Sequence, residues 1–116
     1  MIRHPNICKM FGYFEEKGKL YYILEFIEGK ELYQLVYEDD HSYEFTKYDI
    51  LHIVYQLIHI LAYLSNCKVI HRDIKLENII INTKTLNIKL VDFGWTVHNK
   101  KQIERQTYCG TELCMN

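Results

Sequence analysis

The chain has 116 residues, 48% of them hydrophobic, which suits one small domain with a modest core. Its formal net charge of −1 excludes the strongly basic surface that nucleic acid or an anionic membrane selects, so neither is expected as a partner. Cys8, Cys67, Cys109 and Cys114 are scattered without a C-x-x-C pair, which argues against zinc or a disulfide framework and for reduced thiols inside a cell. The opening Met-Ile-Arg-His-Pro-Asn lacks the apolar run of a signal peptide. The longest apolar stretch, Ile50 to Leu64, is broken by His52, Gln56 and His59 and is not expected to span a membrane.

In chain order, Ile7 to Phe14 and Leu20 to Phe26 read as two strands joined by a charged turn, Glu15 to Lys19, that carries Gly18. Glu31 to Tyr37 reads as a short helix. Glu38 to Glu44 is polar and acidic (Glu38, Asp39, Asp40, Glu44) and is most simply a solvated loop, with a docking role as the alternative. Thr46 to Ser65 is the main helix. Thr46 with Asp49 three residues on fits a capping signature. Ile50, Ile53, Val54, Leu57, Ile58, Leu61 and Leu64 recur at helical spacing as a broad apolar stripe, read as core. His52 and His59 lie on the more polar side, and an ordinary surface is a simpler reading of them than a metal site. Asn66 and Cys67 end the helix.

Next comes Val69-Ile-His-Arg-Asp-Ile-Lys-Leu-Glu-Asn78, then a segment that reads as a β-hairpin. Ile79 to Ile81 is β-branched, Asn82 to Leu86 is turn-like, and Asn87 to Val91 alternates polar and apolar. A hairpin returns the chain to its start, so Asn78 and Asp92 should lie side by side. Two adjacent oxygen ligands suit a hard cation such as Mg²⁺. Asp73 and Lys75 lie within reach of the same point. His98 to Gln106 is basic and polar, and Thr107-Tyr108-Cys109-Gly110-Thr111 follows.

The order His71-Arg72-Asp73-x-Lys75-x-x-Asn78, hairpin, Asp92-Phe93-Gly94 resembles the protein-kinase catalytic core. A lone Asp is most often a turn residue or a cap, but eight matched positions joined by a hairpin of suitable length do not fit that reading. Trp95 after the glycine, then Thr96-Val97-His98, is similar to the Aurora kinases, and Trp95 can equally serve as an apolar anchor. The fold implied is α+β, a partial protein-kinase fold made of the last small-lobe strands and the start of the mainly helical large lobe. Residues 1–26 would be small-lobe remnant, 27–30 the hinge, and 31–116 large lobe through the activation segment.

The resemblance implies the following roles. Asp73 accepts the proton of the substrate hydroxyl and Lys75 steadies the transferred phosphoryl group. Asn78 and Asp92 hold Mg²⁺ against the phosphates of ATP. Leu24 is the gatekeeper of the adenine pocket, also readable as a core leucine. Glu25 and Ile27 offer backbone groups to the adenine edge, and Ile80 joins them in the ATP site. Thr107 is the activating phosphosite, with Arg72 as its phosphate partner, unless it is an ordinary loop threonine. Thr111 braces Asp73 and Lys75. Glu31 and Glu77 receive substrate arginines through paired carboxylate–guanidinium hydrogen bonds. A Ser/Thr kinase preferring Arg near its target follows, with ATP and Mg²⁺ as cofactors, protein substrates and an activating protein as partners, and a mitotic role at nucleus, spindle or centrosome. If it is not Aurora-like, the cytoplasm is expected.

Some positions depart from the family. Leu76 replaces the usual proline, Ile27 a smaller hinge residue, Gln106 a threonine and Cys114 a tyrosine, and none of these removes a catalytic group. The Gly-rich loop, the strand lysine and the helix glutamate of the family have no counterpart in these residues. The expectation is an intact catalytic centre within a longer kinase, Met1 being an internal methionine. Part of the apolar face of Ile50 to Leu64 should then lack cover, which favours poor solubility. The alternative is a truncated, non-catalytic kinase remnant that acts at most as a binding module.

Overall fold

The computed structural model describes residues 2–38 and 43–92, and the backbone of 97–98. The chain opens with an antiparallel hairpin, β1 (Met10–Glu16) and β2 (Lys19–Leu24), in which Tyr13 faces Tyr22 and Phe14 faces Tyr21. Its turn is Lys17–Gly18, with φ of 51° and 71°. Two consecutive left-handed residues make the kind of turn whose twist matches the flanking strands. This two-residue turn is tighter than the five-residue turn expected, so the ladder runs on to Glu16 and Lys19. Ile7 does not belong to this hairpin. It makes a parallel bridge to Leu90, with the Cys8 N–H donating to the Leu90 carbonyl (2.9 Å) and the Leu90 N–H to the Asn6 carbonyl (2.8 Å).

The second sheet is antiparallel, in the order β3 (Lys30–Glu31), β5 (Ile79–Ile81), β6 (Ile88–Leu90). The expected hairpin forms in the register Ile79 to Leu90 and Ile81 to Ile88. Asn82 caps its loop, its Oδ1 accepting from Lys84 N (3.0 Å) and Thr85 N (3.2 Å). The strand alternation is strict: Ile79, Ile81, Ile88 and Leu90 are buried, while Ile80 and Lys89 are half-buried on the other face. Glu31, expected to open a helix, instead pairs with Ile80 as the last residue of β3. The close approach of this segment to β5 rests on Gly29, where φ is 157° and a Cβ would sit 2.5 Å from the Ile81 carbonyl oxygen. The helical turns begin only after β3 and end in a π-helical turn, Gln34–Glu38.

The main helix, α1 (Lys47–Asn66), starts where the sequence signals it. Thr46 Oγ1 accepts from Asp49 N (3.2 Å) and Asp49 Oδ2 accepts from Thr46 N (2.9 Å), a complete capping box. The helix ends at Cys67, followed by Lys68 in the left-handed conformation (φ 58°) and by the short strand β4 (Val69–Ile70), which pairs with β7 (Val97–His98). The core joins Ile53, Ile60 and Leu64 of α1 to Ile7, Leu32, Leu35, Val69 and the four aliphatics of β5 and β6.

The apolar stripe of α1 therefore reaches the core only in part. Ile53 and Leu64 are buried and Leu57 packs against them, but Ile50, Val54, Ile58 and Leu61 are exposed. Ile60, outside the stripe as read, is fully buried, and so is Gln56, which the sequence marked as an interruption. The core face is thus rotated toward Ile53, Gln56, Ile60 and Leu64. Leu24 is also not a core leucine: it is 52% exposed at the end of a ribbon on which few described residues pack. No helix among the described residues is long and apolar enough to cross a membrane.

Candidate active site

The site forms where β4 leaves the core and the β5–β6 hairpin begins. A 3₁₀ turn, Leu76–Asn78, delivers the chain into β5 and buries Asn78. The Asn78 side chain points back upstream. Its Nδ2 donates to the carbonyl (2.9 Å) and to Oδ2 (3.0 Å) of the buried Asp73. Lys75 Nζ lies 3.0 Å from the same Oδ2, and this hydrogen bond raises the lysine's pKa. One carboxylate oxygen of Asp73 is therefore fixed by an amide and an ammonium. Such a group is held in orientation. Both Asn78 side-chain bonds use Nδ2, which turns Oδ1 away from Asp73.

The far end of the hairpin closes on this cluster, because the Val91 N–H donates to the Asn78 carbonyl (2.9 Å). The next residue, Asp92, is exposed and has φ of 57°. Asn78 and Asp92 are thus neighbours, as the hairpin reading requires. Arg72, half-buried, has φ of 73°. Left-handed backbone at two non-glycine residues costs on the order of 1–3 kcal/mol each, and such conformations gather at functional sites. The two side-chain oxygen groups, Asn78 Oδ1 and the Asp92 carboxylate, are hard donors. Among the described residues no group of three or more His, Cys, Asp or Glu side chains could cage a metal. A two-ligand set of this kind fits a cation that keeps most of its other ligands as water or phosphate oxygens.

His71 joins the two halves, a part that sequence reading did not assign it. It is buried, with Nδ1 accepting from Asp73 N (3.3 Å) and Nε2 facing the Val91 carbonyl (3.2 Å). A carbonyl can only accept, so Nε2 carries the proton and the ring is neutral. Burial lowers its pKa, against the opposing pull of the Val91 carbonyl and of Asp73 and Asp92. A histidine two residues before a buried Asp, directly after a two-residue apolar strand, was the available signal.

Gln56 is the second residue missed. Its Oε1 accepts from Asn6 Nδ2 (2.8 Å) and Ile88 N (3.0 Å), and its Nε2 donates to the Leu86 carbonyl (2.8 Å). It ties α1 to residues 82–88 of the hairpin loop and to the segment before β1. Glu25 lies on the opposite side of β6. It forms an ion pair with Lys89 and accepts from Lys9 N (3.0 Å). Burial opposes its ionisation, but the Lys89 and Lys9 hydrogen bonds outweigh burial and hold the carboxyl below the usual range.

Of the remaining expected site residues, Ile27, Ile80, Glu31 and Glu77 are half-buried and Leu24 is exposed. Glu31 and Glu77 come to adjoining elements, because β3 packs on the 3₁₀ turn. Phe93, Gly94, Trp95, Thr107 and Thr111 lie outside the described residues, as do Asp39 and Asp40 of the acidic loop.

A protein kinase domain model matches residues 1–115, and the chain belongs to that family. Its α+β architecture is that of a partial protein-kinase fold. Its relatives carry a narrower name. The chain is 39% identical over 110 residues to an Aurora kinase of Eremothecium gossypii, covering 95% of this chain and 29% of that protein. It is 40% identical over 110 residues to the Aurora kinase of Yarrowia lipolytica (95% and 28%) and 37% identical over 115 residues to Aurora kinase A-A of Xenopus laevis (95% and 26%). The chain spans between 26% and 39% of the length of the curated relatives it matches.

Proposed function

We propose that this chain carries the catalytic centre of an Aurora-type Ser/Thr protein kinase, which transfers the γ-phosphoryl group of ATP to protein hydroxyls. The observation that carries the reading is the Asp73 carboxylate, buried and held by Lys75 and Asn78 beside the hairpin end that presents Asp92. Family membership and the Aurora relatives support it. Asp73 orients the attacking hydroxyl and accepts its proton, while Lys75 neutralises charge that builds on the transferring group. Asn78 Oδ1 and the Asp92 carboxylate would hold Mg²⁺, which supplies charge neutralisation at the phosphates. Leu24, Glu25, Ile27 and Ile80 line the adenine side, with residues 1–26 as small lobe, 27–30 as hinge and 31–116 as large lobe.

Glu31 and Glu77, on elements that pack together, would receive a substrate arginine. Thr107 is the regulatory phosphosite, answered by Arg72, and Thr111 braces the catalytic pair. An activating protein partner, a mitotic role and a spindle, centrosomal or nuclear location rest on the Aurora likeness alone. The test is Asp73→Asn in the full-length protein, assayed with MgATP and an Arg-containing peptide. Transfer should fall by about 10²–10⁴-fold, with thermal stability near that of the parent. Unchanged transfer would remove Asp73 from the chemistry.

A further inference from the structure

The turn that leads toward β1 carries a titratable side chain that neither the site nor the core uses. His4-Pro5-Asn6-Ile7 closes on itself, with the Ile7 N–H donating to the His4 carbonyl (3.1 Å). Pro5 stands second in this turn, where its ring sets φ near about −65° in advance. The side chain of His4 draws the turn tighter, because its Nδ1 accepts from the Asn6 N–H (3.1 Å). Nδ1 therefore has no proton, and the neutral ring carries its proton on Nε2.

Asn6, held in this way, clasps the segment before β1 to α1 and to β6. Its Nδ2 donates to Gln56 Oε1 (2.8 Å) and to the Ile88 carbonyl (2.9 Å). Its carbonyl accepts from Leu90 N (2.8 Å), and the Cys8 N–H donates to the Leu90 carbonyl (2.9 Å) along the same seam.

The surroundings of His4 disfavour a charge on its ring. From α1, Tyr63 packs on the imidazole at 5.0 Å, its hydroxyl accepting from Arg3 N (2.7 Å), and His59 adds a like charge when protonated. From β6 comes Lys89, which is paired with Glu25 from the segment after β2. Arg3 and Lys9, on the same segment as His4, line the cleft beside it. Burial first, then His59 and Lys89, lower the His4 pKa from the ordinary 6.5.

We propose that His4 is an acid-sensitive latch: a proton taken up at Nδ1 breaks its bond with the Asn6 N–H and loosens the segment leading into the β1–β2 hairpin from α1 and β6. A protonated imidazole donates from both nitrogens, so Nδ1–H would meet the Asn6 N–H donor to donor. Because the folded-state pKa is the lowered one, the latch is fully closed above 6.5 and opens as pH falls below it. The kinase reading plays no part in this inference.

The test is amide hydrogen exchange by NMR on the full chain between about pH 7.5 and 5.5, each rate corrected for its intrinsic pH dependence. Opening at Cys8 and Leu90 should rise by about fivefold, the loss of one hydrogen bond. Asn82, bonded to the Asn87 carbonyl within the hairpin loop, serves as the reference and should rise less. Titration of His71, which acts on the whole fold, would raise all three amides together. Imidazole nitrogen shifts should show Nδ1 of His4 unprotonated at the upper pH, with a midpoint below 6.5. His4→Gln should abolish the extra opening. His59→Gln removes a like charge on an exposed side chain and should move the His4 midpoint and the onset of opening upward together. If His4→Gln does not fold, the joint shift in His59→Gln decides. The proposal is overturned by an equal rise at Asn82, by opening that titrates in His4→Gln as in the parent, or by an onset unmoved in His59→Gln.

Discussion

The β1–β2 hairpin and the β5–β6 hairpin are both antiparallel ribbons rich in apolar residues, yet they have opposite fates. In β5–β6 every second residue enters the core, and Ile81, Ile88 and Leu90 are 0% exposed. In β1–β2 the apolar residues occupy both faces, and Phe11, Tyr13 and Tyr22 remain at least 59% exposed. Strict alternation marks a ribbon with one covered face, whereas apolar residues on both faces mark one built to be covered twice. Strand propensity alone does not distinguish the two cases, because burial is decided by what packs on each face.

The comparison can be broken by substitution. Ile81→Ala removes a fully buried side chain of β5 and should cost about 2–5 kcal/mol in urea unfolding; a loss below 1 kcal/mol would mean that β5 is not the centre of the core. Gln56→Leu keeps the volume of the side chain but strands Ile88 N and the Leu86 carbonyl, for an expected loss of about 1–3 kcal/mol. A neutral result would show that the pin between α1 and the hairpin is dispensable.

A smaller effect should come from pH. The folded-state pKa of His71 is lowered below the ordinary 6.5. The unfolded chain therefore takes up its proton first as pH falls. The stability held by neutral His71 is present in full above 6.5 and is lost as pH drops below that value toward the folded-state one. Urea midpoints measured between about pH 7.5 and 5.5 should fall, and should fall less in His71→Gln. A slope unchanged by that substitution would assign the titration elsewhere. The smallest effect is predicted for Phe11→Ala in the exposed hairpin, within about 0.5 kcal/mol in the same unfolding measurement. A large loss there would erase the contrast between the two ribbons.

Local signals were legible in the sequence. The Thr46–Asp49 capping box, the extent of α1, the β5–β6 hairpin and the approach of Asn78 to Asp92 depend on residues close along the chain. Side-chain partners distant in sequence were not. Gln56 looks like a break in an apolar stripe until Asn6, 50 positions away, is brought beside it. The stripe's average direction was clear, but its rotation toward Ile60 depends on where β5 and β6 lie. Glu31 was assigned to a helix because nothing local shows that Gly29 lets the chain fall onto β5. At the site, the motif supplied Asp73, Lys75, Asn78 and Asp92, whereas the linking role of His71 required the position of the Val91 carbonyl.

Gly29 also limits how this chain can vary. Its neighbours Glu28 and Lys30 have exposed side chains that do not enter the core. At Gly29 itself even alanine would place a methyl group 2.5 Å from the Ile81 carbonyl oxygen and 2.9 Å from Ile80 Cγ2. A glycine that faces the backbone of a core strand cannot be relieved by repacking a side chain, so tolerance would require β3 and β5 to separate. Sequence change is therefore bounded at this crossing by its thickness, whatever happens to the side chains on either flank.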